Sequence, residues 1–371
     1  MTQTKVEAPF VENNRPFRNI LINGDMSIAQ RGTSFASVGN TDSQYTLDRW
    51  KFTEEGDLGA AEITITQDTD VPTGEGFAKS LKCVCATVDT SISSDTISYI
   101  EQRIEGQNLQ HVSKGTSGAK KMTYSFFCKS NLTGTFTINF LDQDNTRQFS
   151  TSYSLASADT WERIIINIPA DTTGAFTNDN NTSFFVQMNL QAGTDKSNGA
   201  LTTAFEASAQ GDRGVGQTNF FSSTDNNWYI TGCQLEVGDQ ATDFEHLPHD
   251  VQLQRCQRYC FVNHLYSGGG ATGAAGSGQC NTTTRADIVY HFPATMRAIP
   301  TISVSDATKL RVQHAGTVTA LSSFSGEAEG TSGSFHTTML YCTVSSGLTA
   351  GRGVNLIHNN ATVSITCDAE L

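Results

Sequence analysis

The chain has 371 residues, of which 37% are hydrophobic and only 16% charged, with 32 glycines and a formal net charge of -13. That length allows two domains, each with a core of its own. So acidic a surface repels phosphate backbones and gives no long-range pull toward anionic membranes, which sets aside nucleic acid as a partner.

Thr, Ser, Asn, Gln and Gly fill the gap between the hydrophobic and charged fractions, as in β-rich proteins with many turns. Residues 1–18 are polar, carry Pro9 and Pro16, and read as an extended arm, either a disordered tail or one that docks on a partner. No apolar run of signal-peptide type stands there, and none anywhere approaches the ~20 residues of a bilayer span, so no membrane insertion is expected.

From Asn19 the pattern turns β-like. "RNILINGDMSIAQRGTS" offers an apolar run and then a turn at Asn23-Gly24. "AEITITQD" alternates strictly, with Ile63 and Ile65 on one face. "TISYIEQRIEG", "KMTYSFFCKS", "TFTINFLDQ", "WERIIINIPAD", "SFFVQMNLQAG" and "NWYITGCQLEV" follow, separated by Gly-, Asn-, Asp- and Thr-rich connections. The series predicts a jelly-roll-like β-sandwich over 19–248. "PHDVQLQRCQRYCFV" then gives a stripe of Leu253, Cys256, Tyr259 and Cys260 at helical spacing, with Asp250 early and Arg255 and Arg258 late, so a short linking helix is predicted over 249–262. "SGGGATGAAGSGQ", 267–279, reads as a flexible loop or linker; no strand–loop–helix context or Gly-Lys-Ser/Thr makes it a phosphate cradle. Alternation resumes toward the end, where "HNNAT" predicts a hairpin turn, and 263–371 is expected to form a second, smaller β-sandwich. The fold class is therefore all-β: two β-sandwich domains joined by one short α-helix.

Chemistry-bearing residues are spread thinly. Glu101 and Glu236 fall in strands, where a buried carboxylate pairs with arginine more often than it acts as an acid; Arg31, Arg49 and Arg103 are available partners. No carboxylate pair at glycosidase spacing and no Gly-x-Ser-x-Gly stands out, so no catalytic residue is assigned. Pro248 separates His246 from His249 and excludes a zinc pair on one helical face. No cofactor or metal ligand set is assigned, although a structural calcium stays open, with "NDNN" at 178–181 read as a turn. Nine cysteines without zinc spacing read as buried thiols of a chain folded in a reducing cytosol. Trp50, Trp161 and Trp228 sit in apolar alternations and are expected in the core. His264 and Tyr266, between the helix and the Gly-rich stretch, are the candidate ligand-binding residues.

"RNILINGDMSIAQRGTS", "YTLDRWKF", "WERIIINIPAD" and "WYITGCQLEVGDQATDFEHLPHDVQLQRCQRY" occur in this order. The series, covering 19–260, resembles virion structural proteins of tailed bacteriophages, of the tail-fibre or receptor-binding type, with a carbohydrate-binding-module-like jelly roll. "FPATMRAIPTISV" and "VSITCDAEL" look like the C-terminal β-domain that often follows. The resemblance implies a non-catalytic homotrimer in the tail region of the virion. Its arm would bind other virion proteins, and its C-terminal domain would contact host surface glycan. A head fibre or capsid decoration, a structural adaptor and a polysaccharide depolymerase are the alternatives. The chain lacks the long repetitive shaft of many fibres.

Overall fold

The computed structural model describes residues 16–39, 43–56, 59, 61–265, 273–326, 334–359 and 362–371. Most of the predicted arm, 1–15, lies outside them, as do Tyr266 and the Gly-rich residues 267–272. Cα packing divides the chain into two compact units, one ending at Gln252 and taking in Leu371, the other Leu253–Glu370.

In chain order the first unit's described strands are β1 (Ser34–Gly39), β2 (Gln44–Tyr45), β3 (Lys51–Glu55), β4 (Glu62–Asp68), β5 (Ser80–Thr87), β6 (Ile97–Glu105), β7 (Met122–Ser130), β8 (Gly134–Asp142), β9 (Arg147–Leu155), β10 (Glu162–Ile168), β11 (Thr182–Ala192), β12 (Glu206–Ala207) and β13 (Asn227–Val237). They form two antiparallel sheets, ordered β1-β4-β5-β13-β7-β10 and β12-β9-β8-β11-β6-β3-β2. Alternation fixes which side of each strand faces the other sheet. Ile63, Ile65, Phe126, Trp228 and Ile230 from the first sheet meet Phe52, Ile100, Phe136, Phe140 and Phe184 from the second in one apolar core. A helical connection, α1 (Thr194–Ser197), lies between β11 and β12.

Residues 19–33, predicted as a strand and turn, are buried in large part but form no strand. Their side chains satisfy the backbone that a ladder would otherwise serve. Asn23, fully buried with φ of 59°, donates to Ile28 O and Asp48 O, both at 2.9 Å, and accepts from Ile28 N. Gln102 pairs with both the N–H and the C=O of Ile22. An Asn tolerates this left-handed backbone where most residues do not.

The second helix, α2 (His249–Gln257), is shorter than predicted. Cys260, placed in the helix by its spacing, opens strand β14 (Cys260–Leu265). Cys256, Tyr259 and Cys260 are buried and Leu253 is half-buried, so the stripe reports burial at three of its four positions while two elements share it. The rest of the second unit comprises β15 (Ala274–Cys280), β16 (Arg285–His291), β17 (Thr301–Val304), β18 (Leu310–His314), β19 (Thr317–Ala320), β20 (Ser323–Gly326), β21 (Thr337–Thr343), β22 (Gly353–His358) and β23 (Val363–Asp368). A three-stranded sheet, β14-β23-β17, faces one of order β19-β18-β22-β15-β16-β21-β20, and Leu265, Ile365 and Cys367 pack with Ile288, Leu340 and Leu356 between them. β22 and β23 therefore belong to different sheets, and the predicted "HNNAT" hairpin does not form.

Part of the predicted flexible loop is a strand. Gly278 lies so close to β16 that a Cβ there would sit 1.9 Å from Asp287 O. Glycine permits this close strand pairing, so the composition that suggests a linker is a packing requirement here.

Candidate functional site

The sandwich of the first unit has two outward faces, and they differ. On the seven-stranded sheet, polar side chains stand in cross-strand register: Lys51, Glu101, Gln187, Asn139 and Ser150 in one row, Thr53, Tyr99 and Asn189 in the next. Glu101, Asn139, Ser150 and Asn189 are nevertheless fully buried. The chain between β11 and β13 lies over the middle of this face. Arg213 donates to Gln187 Oε1 at 3.0 Å, its carbonyl accepts from Asn189 Nδ2 at 2.6 Å, and Thr202 pairs with Ser150. Arg213 also grips Glu55 with two hydrogen bonds of 2.8 and 3.0 Å. Burial pulls the Glu55 carboxyl upward, but Arg213, Tyr99 and Lys196 outweigh it and bring it down to about 2. Glu101 is held by Arg103 at 2.8 Å and by Gln187 and Thr53. Asn139 Oδ1, Ser150 Oγ and Arg213 Nε have no hydrogen-bond partner among the described residues but are buried like the rest, so this face offers little to a ligand.

The six-stranded sheet turns a different face outward. Trp228 and Ile230 point into the core, which turns Tyr229 and Thr231, both buried, to the other side; the same parity places half-buried Phe127 and buried Lys129 on that side of β7 and exposed Arg163 on β10. Tyr229 stands opposite Lys82 on one side and Lys129 on the other, and Arg163 stands opposite Phe127. Trp161, just before β10, meets Tyr229 edge-on at 6.0 Å between ring centres. Lys129 Nζ lies 4.3 Å from the centre of Tyr229 and 5.5 Å from that of Trp161. The indole N–H donates to Asp70 Oδ1 at 3.0 Å, and Asp70 also pairs with Lys129. Trp161 is half-buried, unlike Trp50 and Trp228, which are fully buried as expected of core residues.

One strand step away, Phe77 packs edge-on against Phe127 and Phe244, and His246 closes the group at 4.9 Å from Phe244. Phe77 approaches Gly232 (φ 64°) so closely that a Cβ there would sit 2.6 Å from its ring. A cleft of about 200 Å³ opens among Phe77, Phe127, Phe244, His246, Arg163 and Asp243. The result is a track of rings from Trp161 to His246, half-buried at Trp161, Phe127, Phe77 and Phe244, buried at Tyr229 and exposed at His246, edged by Lys, Arg and Asp side chains.

The stretch "QLEVGDQATDFEH" builds one end of this track. Glu236 accepts from Gln234 Nε2, Thr242 N and Thr242 Oγ1 at 2.8 to 2.9 Å. Gln234 Oε1 accepts from Glu245 N, while Glu245 accepts from the backbone N–H groups of Phe17 and Asn19. This clasp fixes the turn that carries Phe244 and His246. The arginine beside Glu236 is Arg18, at 3.7 Å, and not Arg49 or Arg31. Arg49 is buried and donates to Arg103 O at 2.6 Å, and Arg31 lies over the Tyr45 ring. Sequence distance hides this pairing, since residues 1–18 read as an extended arm, either a disordered tail or one that docks on a partner.

His264 is exposed and lies on the side of β14 opposite the core-facing Leu265. It belongs to the second unit, whereas the ring track belongs to the first, and Tyr266 falls outside the described residues. At 178–181 Asp179 accepts from the backbone and side chain of Asn181, an ordinary turn. Among the described residues no group of three or more His, Cys, Asp or Glu side chains is placed to hold a metal ion, and no helix is long and apolar enough to cross a membrane.

No protein-family model and no curated protein matches the chain. Solved structures with partial likeness include the enzymatically active domain of tailspike protein 4 of bacteriophage CBA120, at 14% identity and a TM-score of 0.31 over 60% of this chain and 22% of that one. A CBM4 module is similar at 14% identity and a TM-score of 0.30, over 58% of this chain and 98% of its own. The CBM22-1–GH10 modules of Clostridium thermocellum xylanase 10B, complexed with xylohexaose, are similar at 12% identity and a TM-score of 0.29, over 60% and 29% of the two chains. The chain thus spans less than a third of two of these three structures.

Proposed function

We propose that this protein is a non-catalytic glycan-binding protein that holds its ligand on the outward face of the six-stranded sheet, and that it serves as a fibre-type attachment protein of a phage virion. The observation that carries the binding reading is the track of rings, half-buried at Trp161, Phe127, Phe77 and Phe244 and exposed at His246, with Phe127 on β7 and the others on connections beside the sheet, edged by charged hydrogen-bonding groups. Sugars present an apolar C–H face and a rim of hydroxyls, and aromatic side chains beside polar ones match both. The virion setting, the arm that binds other virion proteins, the homotrimer and host glycan as target follow from the sequence resemblance.

Two acids beside Trp161 and Tyr229, Asp68 and Asp70, lend no support to hydrolysis. Burial raises the Asp68 and Asp70 carboxyls, but Lys82 and backbone N–H groups outweigh it at Asp68, and Lys129 and Trp161 outweigh it at Asp70, so both lie below the usual range. Neither is held in the protonated form that a glycosidic leaving group needs.

The test is an array of bacterial capsule and O-antigen oligosaccharides probed with wild-type protein, Trp161→Ala and Phe127→Ala. An aromatic hot spot is worth about 2 kcal/mol, or roughly 30-fold in affinity. Loss of that order in both variants, without release of reducing ends, is expected. Unchanged affinity in both would remove the track as the site. Reducing sugar released by wild type would revive the depolymerase. Absence of binding to the array and to host cells would favour the adaptor, and gold labelling confined to the capsid would favour the head fibre.

A further inference from the structure

The first unit holds a buried charge cluster that shares no residue with the ring track. It forms where the turns after β8 and β10 meet the chain that leads into β7. Lys114, 6% exposed, sends its ammonium into a cage of oxygen atoms. Nζ lies 2.5 Å from Asp142 Oδ2 and 3.1 Å from Asp171 Oδ2, and it donates to Thr173 O and Gly174 O, both at 2.7 Å. Both carboxylates are buried with it. The Phe176 ring closes one side, its centre 5.3 Å from Nζ.

The cage suits a spherical cation better than a lysine. An ammonium has three N–H donors, fewer than the four oxygens around it, so it cannot give each a bond of its own. Carboxylate oxygens and backbone carbonyls are the donors that calcium takes, at about 2.3–2.6 Å. The groups behind these oxygens hold them in place, as the outer groups of a metal site do. Asn145 Nδ2 donates to Asp142 Oδ2 at 3.0 Å and to Ala175 O at 3.1 Å. Arg147 donates to Asp171 Oδ2 at 2.8 Å and to Oδ1 at 3.1 Å, and Thr173 N donates to Oδ1 at 3.0 Å. Gly174 has φ of 69°, and a Cβ on it would sit 2.2 Å from Asn145 Oδ1, so the turn closes over the ammonium only with glycine there.

Charge balance makes a cation necessary. Lys114 and Arg147 face Asp142 and Asp171, so the cluster is neutral with the lysine and anionic without it. Burial raises the Asp171 carboxyl, but Arg147, the Thr173 N–H and Lys114 outweigh it, and the group lies below the usual range. Buried carboxylates left without their partner cost far more than the pair contributes.

We propose that Lys114 is a resident cation: its ammonium occupies an oxygen site of the calcium type, and removing that side chain converts the site into one that binds a calcium-sized ion. This end of the sandwich takes its positive charge from the chain itself and needs no metal ion there.

The test melts the full chain in EDTA, in millimolar calcium and in millimolar magnesium, as wild type and as three variants. Lys114→Ser leaves space for an ion and water, Lys114→Met fills that space with apolar atoms, and Lys114→Ser combined with Asp142→Asn is matched in charge. In EDTA Lys114→Ser and Lys114→Met should both melt about 10 °C or more below wild type. Calcium should restore half or more of that loss in Lys114→Ser, and calorimetry should register an additional bound calcium relative to wild type. Magnesium, which demands a tighter octahedral shell, should restore little. Calcium should shift Lys114→Met and the charge-matched variant no more than it shifts wild type. Should Lys114→Ser be unfolded in EDTA, calcium is expected to let it refold. A calcium response in Lys114→Ser no larger than in wild type or Lys114→Met would overturn the proposal. So would a Lys114→Ser protein as stable as wild type in EDTA, or a calcium response that persists in the charge-matched variant.

Discussion

Replacing Glu55 by Gln tests whether the seven-stranded sheet is closed by its own chain. Glu55 and Arg213 share hydrogen bonds of 2.8 and 3.0 Å, with Tyr99 OH donating at 2.6 Å and Lys196 Nζ 3.6 Å away. The fall of the carboxyl from 4.5 to about 2 would correspond to about 3 kcal/mol for a fully sheltered group. The Glu55 side chain keeps 36% of its exposure, so solvent screening reduces the expectation to about 1–2 kcal/mol. Because folding favours the charged form, the stabilisation is complete above 4.5 and is lost as pH falls toward about 2. By pH 3 less than roughly half of it should remain. Tryptophan fluorescence during urea unfolding isolates this unit, since Trp50, Trp161 and Trp228 all precede the division at Gln252. Glu55→Gln should therefore cost about 1–2 kcal/mol at pH 7 and markedly less at pH 3. Equal cost at both pH values, or no measurable cost at pH 7, would refute the ion pair as the clamp on this face.

Other consequences can be checked separately. Asn23→Ala removes three hydrogen bonds of a fully buried side chain and leaves a non-glycine residue at φ 59°; urea unfolding should show a loss of about 3 kcal/mol or more. Gly278→Val should destabilise the second unit, and hydrogen exchange should find the wild-type Gly278 amide protected, whereas a free linker would exchange at once. All nine cysteines are free and buried, and burial raises the Cys85 thiol to about 11 and that of Cys233 to about 12. A thiol reagent at pH 8 should accordingly modify almost none in the native protein and nine after denaturation.

What the sequence made legible was burial and alternation. Ile63 and Ile65 face the core from β4 as their spacing required, and the all-β class follows from many such runs. Segments went astray where burial is achieved without a ladder or by missing side chains. The apolar run at 19–33 is satisfied by Asn19, Asn23 and Gln102, which periodicity does not register. The glycines of β15 resemble a linker because the reason for them lies on β16, across the sheet. Glu236 was recognised as a paired acid, but its neighbour Arg18 is more than two hundred residues away in sequence. The ring track was invisible for the same reason: Phe77, Phe127, Trp161, Tyr229 and Phe244 come from five separate segments and make no local motif.

The most direct measurement is a two-dimensional ¹⁵N–¹H spectrum of the three indole N–H groups, titrated with an oligosaccharide that binds the intact protein. Trp50 and Trp228 are fully buried and serve as internal controls, whereas Trp161 lies half-exposed on the ring track. The Trp161 resonance should move with the binding curve while the other two stay in place. Saturated binding with no shift at Trp161 would contradict the assignment of glycan binding to this face.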